Sequence, residues 1–184
     1  MKRKVVAIVG MCGSGKSEVT KILSELGLKK IRFGDITDTF LKKYNLERTE
    51  KNERFIREQL RKKYGMAAYA ILNLQHIKNS LKHSDVILDG LYSWEEYVYL
   101  KKKFGDDLTV IHVYASPETR YRRLMKRKER PLSIKESSSR DIAEIENINK
   151  GGPIAMADFV IVNENNSLKK LREDVLKLWK KIKR

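Results

Sequence analysis

The segment Gly10-Met11-Cys12-Gly13-Ser14-Gly15-Lys16-Ser17 constrains this chain more than any other, because of what stands on either side of it. Before it, Val5-Val6-Ala7-Ile8-Val9 is a continuous apolar run, the pattern of a parallel strand buried on both faces. After it, Val19, Ile22, Leu23 and Leu26 recur at helical spacing, and Gly27 follows as the C-cap. Strand, G-x-x-x-x-G-K-S loop and helix in that order predict a cradle for the phosphates of a nucleoside triphosphate. Gly10, Gly13, Ser14 and Gly15 bring backbone amides close to the phosphate oxygens, and the start of the helix adds unpaired N–H groups and its positive dipole end. Lys16 supplies a mobile charge to the β- and γ-phosphates, and the Ser17 hydroxyl is expected to ligate Mg2+. Cys12 reads as an inert spacer, with no second cysteine or nearby histidine to activate it.

The rest of the chain fits one α/β domain spanning all 184 residues. Further apolar runs lie at Ile31-Arg32-Phe33, Val86-Ile87-Leu88, Val110-Ile111-His112-Val113 and Phe159-Val160-Ile161-Val162, each separated from the next by helical stretches. Such alternation predicts a parallel sheet with helices on both faces. His112, inside an apolar strand, is expected to be buried and hydrogen-bonded. Two segments exceed what a crossover needs. Residues 36–82 read as a helical insertion that binds an acceptor, and 128–150 as a lid, because Lys128-Glu129-Arg130-Pro131 and Ser137-Ser138-Ser139 interrupt the helical pattern. The last helix is predicted from about Leu168 to Ile182, with Leu171, Val175, Leu178 and Ile182 facing inward.

Composition narrows the function classes. A single cysteine excludes an internal disulfide framework, and the three histidines are too scattered for a zinc site. The N-terminal apolar segment is far too short for a secretory signal or a membrane span, so a cytoplasmic location without membrane attachment is expected. With 40 Lys and Arg against 24 Asp and Glu, the net charge of +16 points to anionic partners, phosphorylated small molecules or nucleic acid.

In open parallel sheets ligands gather at the carboxyl ends of the strands, where Asp35 and Asp89 fall. Asp89 suits a magnesium-bound water or the proton of an acceptor. Asp35 has two readings, a cap for the following helix or a base and acceptor-binding group. Arg54, Arg57 and Arg61 share one face of a helix predicted from about Glu50 to Lys63, a row able to hold an acceptor phosphate, although Glu58 can pair with Arg54. Arg120, Arg123 and Arg127 repeat that spacing, and Arg140 is expected to open the helix beyond the lid.

With the loop, Asp89-Gly90, the segments Leu60-Arg61-Lys62-Lys63-Tyr64-Gly65, Ala115-Ser116-Pro117-Glu118-Thr119-Arg120, Arg123-Leu124-Met125-Lys126-Arg127, Arg140-Asp141 and Ala157 to Asn163, the chain resembles the nucleoside-monophosphate-kinase-like P-loop proteins over nearly its whole length. The branch it looks most like is the adenylate-kinase-related, dephospho-coenzyme-A-kinase-like one. The resemblance implies a three-layer P-loop kinase fold with a five-stranded parallel sheet. It also implies Arg123 and Arg127 near the adenine and phosphates, Arg140 on the transferred phosphoryl group, and the loop after Asn163 beside the adenine. The chain departs from that pattern at Gly90-Leu91-Tyr92-Ser93, where no arginine follows the Asp-Gly pair. Arg61 and Tyr92 are then the candidates for acceptor binding.

These readings predict an ATP- and Mg2+-dependent kinase acting on a phosphorylated or nucleotide-like acceptor. Dephospho-coenzyme A is the alternative acceptor, with Asp35 as its base. A nucleic-acid-associated or regulatory ATPase is the reading from a different class, supported by the net charge but by no nucleic-acid-binding motif.

Overall fold

The computed structural model describes residues 3–165 and 167–183. Its sheet has five parallel strands, β1 Val5–Val9, β2 Lys29–Arg32, β3 Val86–Asp89, β4 Leu108–Tyr114 and β5 Phe159–Val162, in the order β2-β3-β1-β4-β5. β1 lies at the centre, and every residue of it is buried. Alternation splits the sheet's side chains between two cores. Val5, Ala7, Val9, Val86, Leu88 and Val110 face one, and Val6, Ile8, Ile87, Ile111, Val113 and Ile161 face the other.

Helices α1 (Lys16–Glu25) and α9 (Leu168–Ile182) cover the second face, through Val19, Leu23, Leu171 and Val175. α4 (Ala68–Leu81) and α5 (Trp94–Phe104) cover the first, through Ala70, Ile77, Tyr97 and Leu100. α4 is therefore the crossover helix itself. The extra material in 36–82 is α2, which begins at Asp35 and runs to Lys43, and α3 (Glu50–Tyr64), folded over the end of the sheet.

Local rules account for most boundaries. Gly27 follows α1 with φ 91° and donates to the Ser24 carbonyl at 3.0 Å, closing the helix as its position predicts. β2 lies two residues earlier than its apolar run suggests, because Lys29 and Lys30 pair along an open sheet edge and need no burial there. Crossing from β4 to β5 are α6 (Pro117–Met125), α7 (Ile134–Glu146) and the short α8 (Gly151–Ala155).

In the region 128–150 the triple serine does not break the helix. Ser133 and Glu136 form a reciprocal capping box that starts α7 ahead of it, which places Arg140 in mid-helix and not at its opening. His112 also differs from expectation. It is half-buried, packs edge-on to Tyr114 with ring centroids 5.9 Å apart, and makes no side-chain hydrogen bond among the described residues. Burial, and then the charge of Lys16, depress its proton affinity.

Candidate active site

The loop joining β1 to α1 holds three glycines at positive φ, Gly10 at 141°, Gly13 at 84° and Gly15 at 98°. Each is also hemmed in. A Cβ on Gly10 would strike the Val113 carbonyl, one on Gly13 would lie 2.8 Å from the Arg120 carbonyl, and one on Gly15 would strike the Asn163 amide. The side chains of five helices cap their own first turns, Thr49 on α3, Ser93 on α5, Ser116 on α6, Ser133 on α7 and Ser167 on α9. α1, like α2, α4 and α8, has no side-chain cap, and the glycine loop that leads into it leaves its first amides available to an outside acceptor. The Ser14 hydroxyl inside the loop is buried with no hydrogen-bond partner among the described residues. Lys16 Nζ folds back to donate to the Gly10 and Met11 carbonyls at 2.8 and 2.9 Å. Burial, and next the charge of Lys150, push the Lys16 ammonium down to about 8. Open amides, an orphaned hydroxyl and a lysine resting on carbonyls fit a polyphosphate.

Two side chains reach the loop from far along the chain. Asn163, at the end of β5, donates its amide to the Ser14 carbonyl at 2.8 Å and so holds the loop's shape. Arg120 of α6, 4% exposed, donates to the Cys12 carbonyl at 3.1 Å and grips Asp141 of α7 with two bonds of 3.0 and 2.7 Å. Arg120 is thus a tie between loop, α6 and α7, not one of a row of arginines open to phosphates. Arg123 lines a hollow with Gly15, Glu18, Asn163 and Leu168 and donates to the Asn165 carbonyl at 3.3 Å. Arg127 lies beyond the end of α6 and is exposed, away from that hollow.

At the same sheet edge, α2 and α3 enclose a second cleft of about 310 Å³. Asp89 at the tip of β3 lines it and pairs with Lys30 at 2.8 Å. Gly90 follows at φ 118°, with room for a Cβ only at 3.1 Å from Phe33 and 3.2 Å from the Tyr92 ring. Of the arginines on α3, Arg54 pairs with Glu58 at 2.8 Å and Arg57 with Glu50 at 2.7 Å. Arg57 and Arg61 both line the cleft, and of the two Arg61 has no ion-pair partner among the described residues. Asp35 is not brought in. Its side chain is 65% exposed and pairs with Arg32 at 2.6 Å. One turn on, Asp38 faces the cleft instead, bonded to Arg32 and 3.6 Å from Arg48.

Glu96 closes the cleft floor. It accepts from the backbone N–H groups of Tyr92 and Ser93 at 2.9 and 3.2 Å, yet burial pushes its carboxyl up to about 7 from 4.5. The folded chain therefore holds a proton on Glu96 between pH 4.5 and about 7 that the unfolded chain has lost. Stability falls as pH rises through that window, by roughly 3 kcal/mol in all. Glu96→Gln is expected to remove this part of the slope, read as the difference between the urea-unfolding free energies of wild type and variant across that pH range.

Glu144 of α7 accepts from Arg140 at 3.2 Å and from Lys150 at 2.5 Å. Lys150 is 1% exposed, and its Nζ sits 4.9 Å from the centre of the Tyr92 ring. Tyr92 lines the cleft, and burial, then Asp89 and Glu144, push its phenol up to about 12. Asp38, Glu96, Glu144 and Lys150 escape sequence reasoning. Asp38 shares a helix with Asp35 and is separated from it only by helical phase. Glu96 carried a visible signal, since Ser93-Trp94-Glu95-Glu96 reads as a capping box. Glu144 and Lys150 carry none.

A match to the AAA domain family covers residues 6–145. A UPF0200 protein of Pyrococcus abyssi is 32% identical over 182 residues, which is 97% of this chain and 96% of that protein. Among solved structures, a shikimate kinase from Bacteroides thetaiotaomicron superposes with a TM-score of 0.62 at 13% identity, covering 98% of this chain and 99% of that one. A dephospho-CoA kinase from Campylobacter jejuni superposes with a TM-score of 0.55 at 18% identity, covering 99% and 98%. At such identities the likeness to the two kinases is one of fold: a parallel sheet between helices, of the P-loop kinase type.

Proposed function

The chain belongs to the UPF0200 family and has a P-loop kinase-like fold, and we propose that it is an ATP- and Mg2+-dependent kinase that passes the γ-phosphoryl group to a small phosphorylated or nucleotide-like acceptor. One observation carries the reading: an uncapped phosphate loop and a cleft holding Arg61, which has no ion-pair partner among the described residues, open on the same edge of the sheet, with Asp89 at their border. The loop amides and Lys16 hold the β- and γ-phosphates, and Arg123 lies in the hollow on the nucleotide side. Mg2+, held by the exposed Ser17 hydroxyl and through water by Asp89, would neutralise charge on those phosphates. Arg61 grips the anionic end of the acceptor, and Asp89 takes the proton of its attacking hydroxyl or phosphate.

Within this reading dephospho-coenzyme A remains the alternative acceptor, a molecule named for one of the structural neighbours. Asp35 is then a poor base, because it is exposed and ion-paired outside the cleft, whereas Asp38 and Asp89 line the cleft together with Glu53 and Glu96. The test is ADP release from ATP and Mg2+ with a panel of nucleoside monophosphates and dephospho-coenzyme A. At least one acceptor is expected to stimulate release. No stimulation by any of them, with salt-sensitive RNA binding in its place, would favour a nucleic-acid-associated ATPase.

A further inference from the structure

Lys150 lies within the lid region yet is almost wholly enclosed, and that combination requires a reason. An ammonium carries three donors and loses several kcal/mol of hydration when buried unless they are met. Here one donor goes to Glu144 at 2.5 Å, and the Tyr92 ring face, 4.9 Å away, takes a share of the charge. No other acceptor for Lys150 is found among the described residues. Glu144 is itself divided between Lys150 and Arg140. The ammonium is close enough to Lys16 that the two repel, and Glu144 and Asp89 share the same field. The strand end at Gly90-Leu91-Tyr92-Ser93 carries no cation of its own. Lys150, some sixty residues further along, brings one there across the Tyr92 ring.

We propose that Lys150 is a catalytic residue that binds the γ-phosphoryl group of the nucleotide before and during its passage to the acceptor, and that Glu144 holds it in place until the nucleotide arrives. The inference rests on the kinase reading above. In the transfer, an acceptor oxygen forms a bond to the γ-phosphorus while the bond from that phosphorus to the β–γ bridging oxygen breaks. The bridging oxygen keeps the electron pair and leaves as part of ADP, and the acceptor's proton passes to Asp89. Negative charge on the moving group faces Lys16 from the loop side and Lys150 from the cleft side. The three oxygens of that group supply the acceptors that Lys150 lacks in the protein.

The test is calorimetry with Mg-ATP and Mg-ADP on wild type, Lys150→Met, Lys150→Arg and the double variant Glu144→Gln/Lys150→Met. Lys150→Met is expected to weaken ATP about 10- to 100-fold, the size of one lost charge-assisted bond, and to leave ADP within about twofold. Lys150→Arg is expected to restore most of the preference for ATP. The double variant leaves no unpaired buried carboxylate, so it keeps the fold if the single one does not, and it is expected to show the same loss confined to ATP. An unchanged ATP-to-ADP ratio in both methionine variants, or equal loss of the two nucleotides by folded protein, overturns the role of Lys150 while the kinase reading stands. Failure of wild-type protein to bind either nucleotide overturns both.

Discussion

Arg120→Ala is expected to lower the unfolding free energy by about 3–5 kcal/mol, the cost of breaking a buried ion pair by removing one partner. Among the described residues Asp141 would keep only the Tyr121 hydroxyl, at 3.0 Å, and the carbonyls of Cys12 and Ala115 would lose the Arg120 donor. The loss should not stop at stability. Arg120 is the point where the phosphate loop, α6 and α7 meet, so its removal frees the loop to leave the shape that presents its amides. Urea denaturation gives the first effect, and Mg-ATP affinity of the still-folded fraction gives the second. In Arg120→Met/Asp141→Leu both charges are replaced by apolar groups of similar bulk, and most of the stability is expected to return, because no buried charge is left unpaired. Nucleotide affinity should stay low in that double variant, since the Cys12 carbonyl still lacks its tether. A double variant no more stable than Arg120→Ala would show that the pair is not what Arg120 contributes.

Lys16→Met is the second large effect. The ammonium rests on the Gly10 and Met11 carbonyls and is poorly solvated, so it gains more from a triphosphate than an exposed lysine would. Acceptor-dependent turnover is expected to drop by about 10²–10³-fold, the scale on which removing one preorganised donor at a charge-developing centre acts. Melting temperature should change little or rise, because a partly desolvated charge is replaced by an apolar chain of similar length. Turnover unaffected by Lys16→Met would remove the phosphate loop from the chemistry and with it the kinase reading.

Much of this arrangement was legible in the sequence, for a common reason. β1, β3 and β4 are interior strands, and a continuous apolar run has few other ways to be buried, while β5, at the sheet edge, was legible from its β-branched run although only Ile161 of it is buried. α9 matched its predicted bounds because Leu171, Val175, Leu178 and Ile182 fall on one face of a helix that begins at a capping serine. The loop between β1 and α1 was legible because its three glycines sit at positive φ, a demand written in their own positions, while the remote Arg120 and Asn163 that hold its shape were not. Sequence reasoning failed in two ways. Ser137-Ser138-Ser139 suggested a break because serine weakens helices, but a local signal, the capping box at Ser133 and Glu136, outweighed it. Elsewhere the deciding partner was remote. Arg120 shared the spacing of Arg123 and Arg127, and only the position of Asp141 on a separate helix turned it from a phosphate ligand into a tie.

The sequence by itself thus determined the strands, the phosphate loop and the helix that leaves it, since backbone freedom and apolar periodicity act over a few residues. Tertiary structure alone decided which charges are spent on each other and which stay free. Asp35 turned out to solvent and Asp38 turned in, Arg57 paired while Arg61 has no ion-pair partner among the described residues, and Asn163 came to hold a carbonyl 149 residues before it. Lys150 met Tyr92 and Glu144 for the same reason. The energy of a charge depends on what surrounds it within a few ångströms, and in a parallel sheet each strand end gathers neighbours delivered by crossovers tens of residues long.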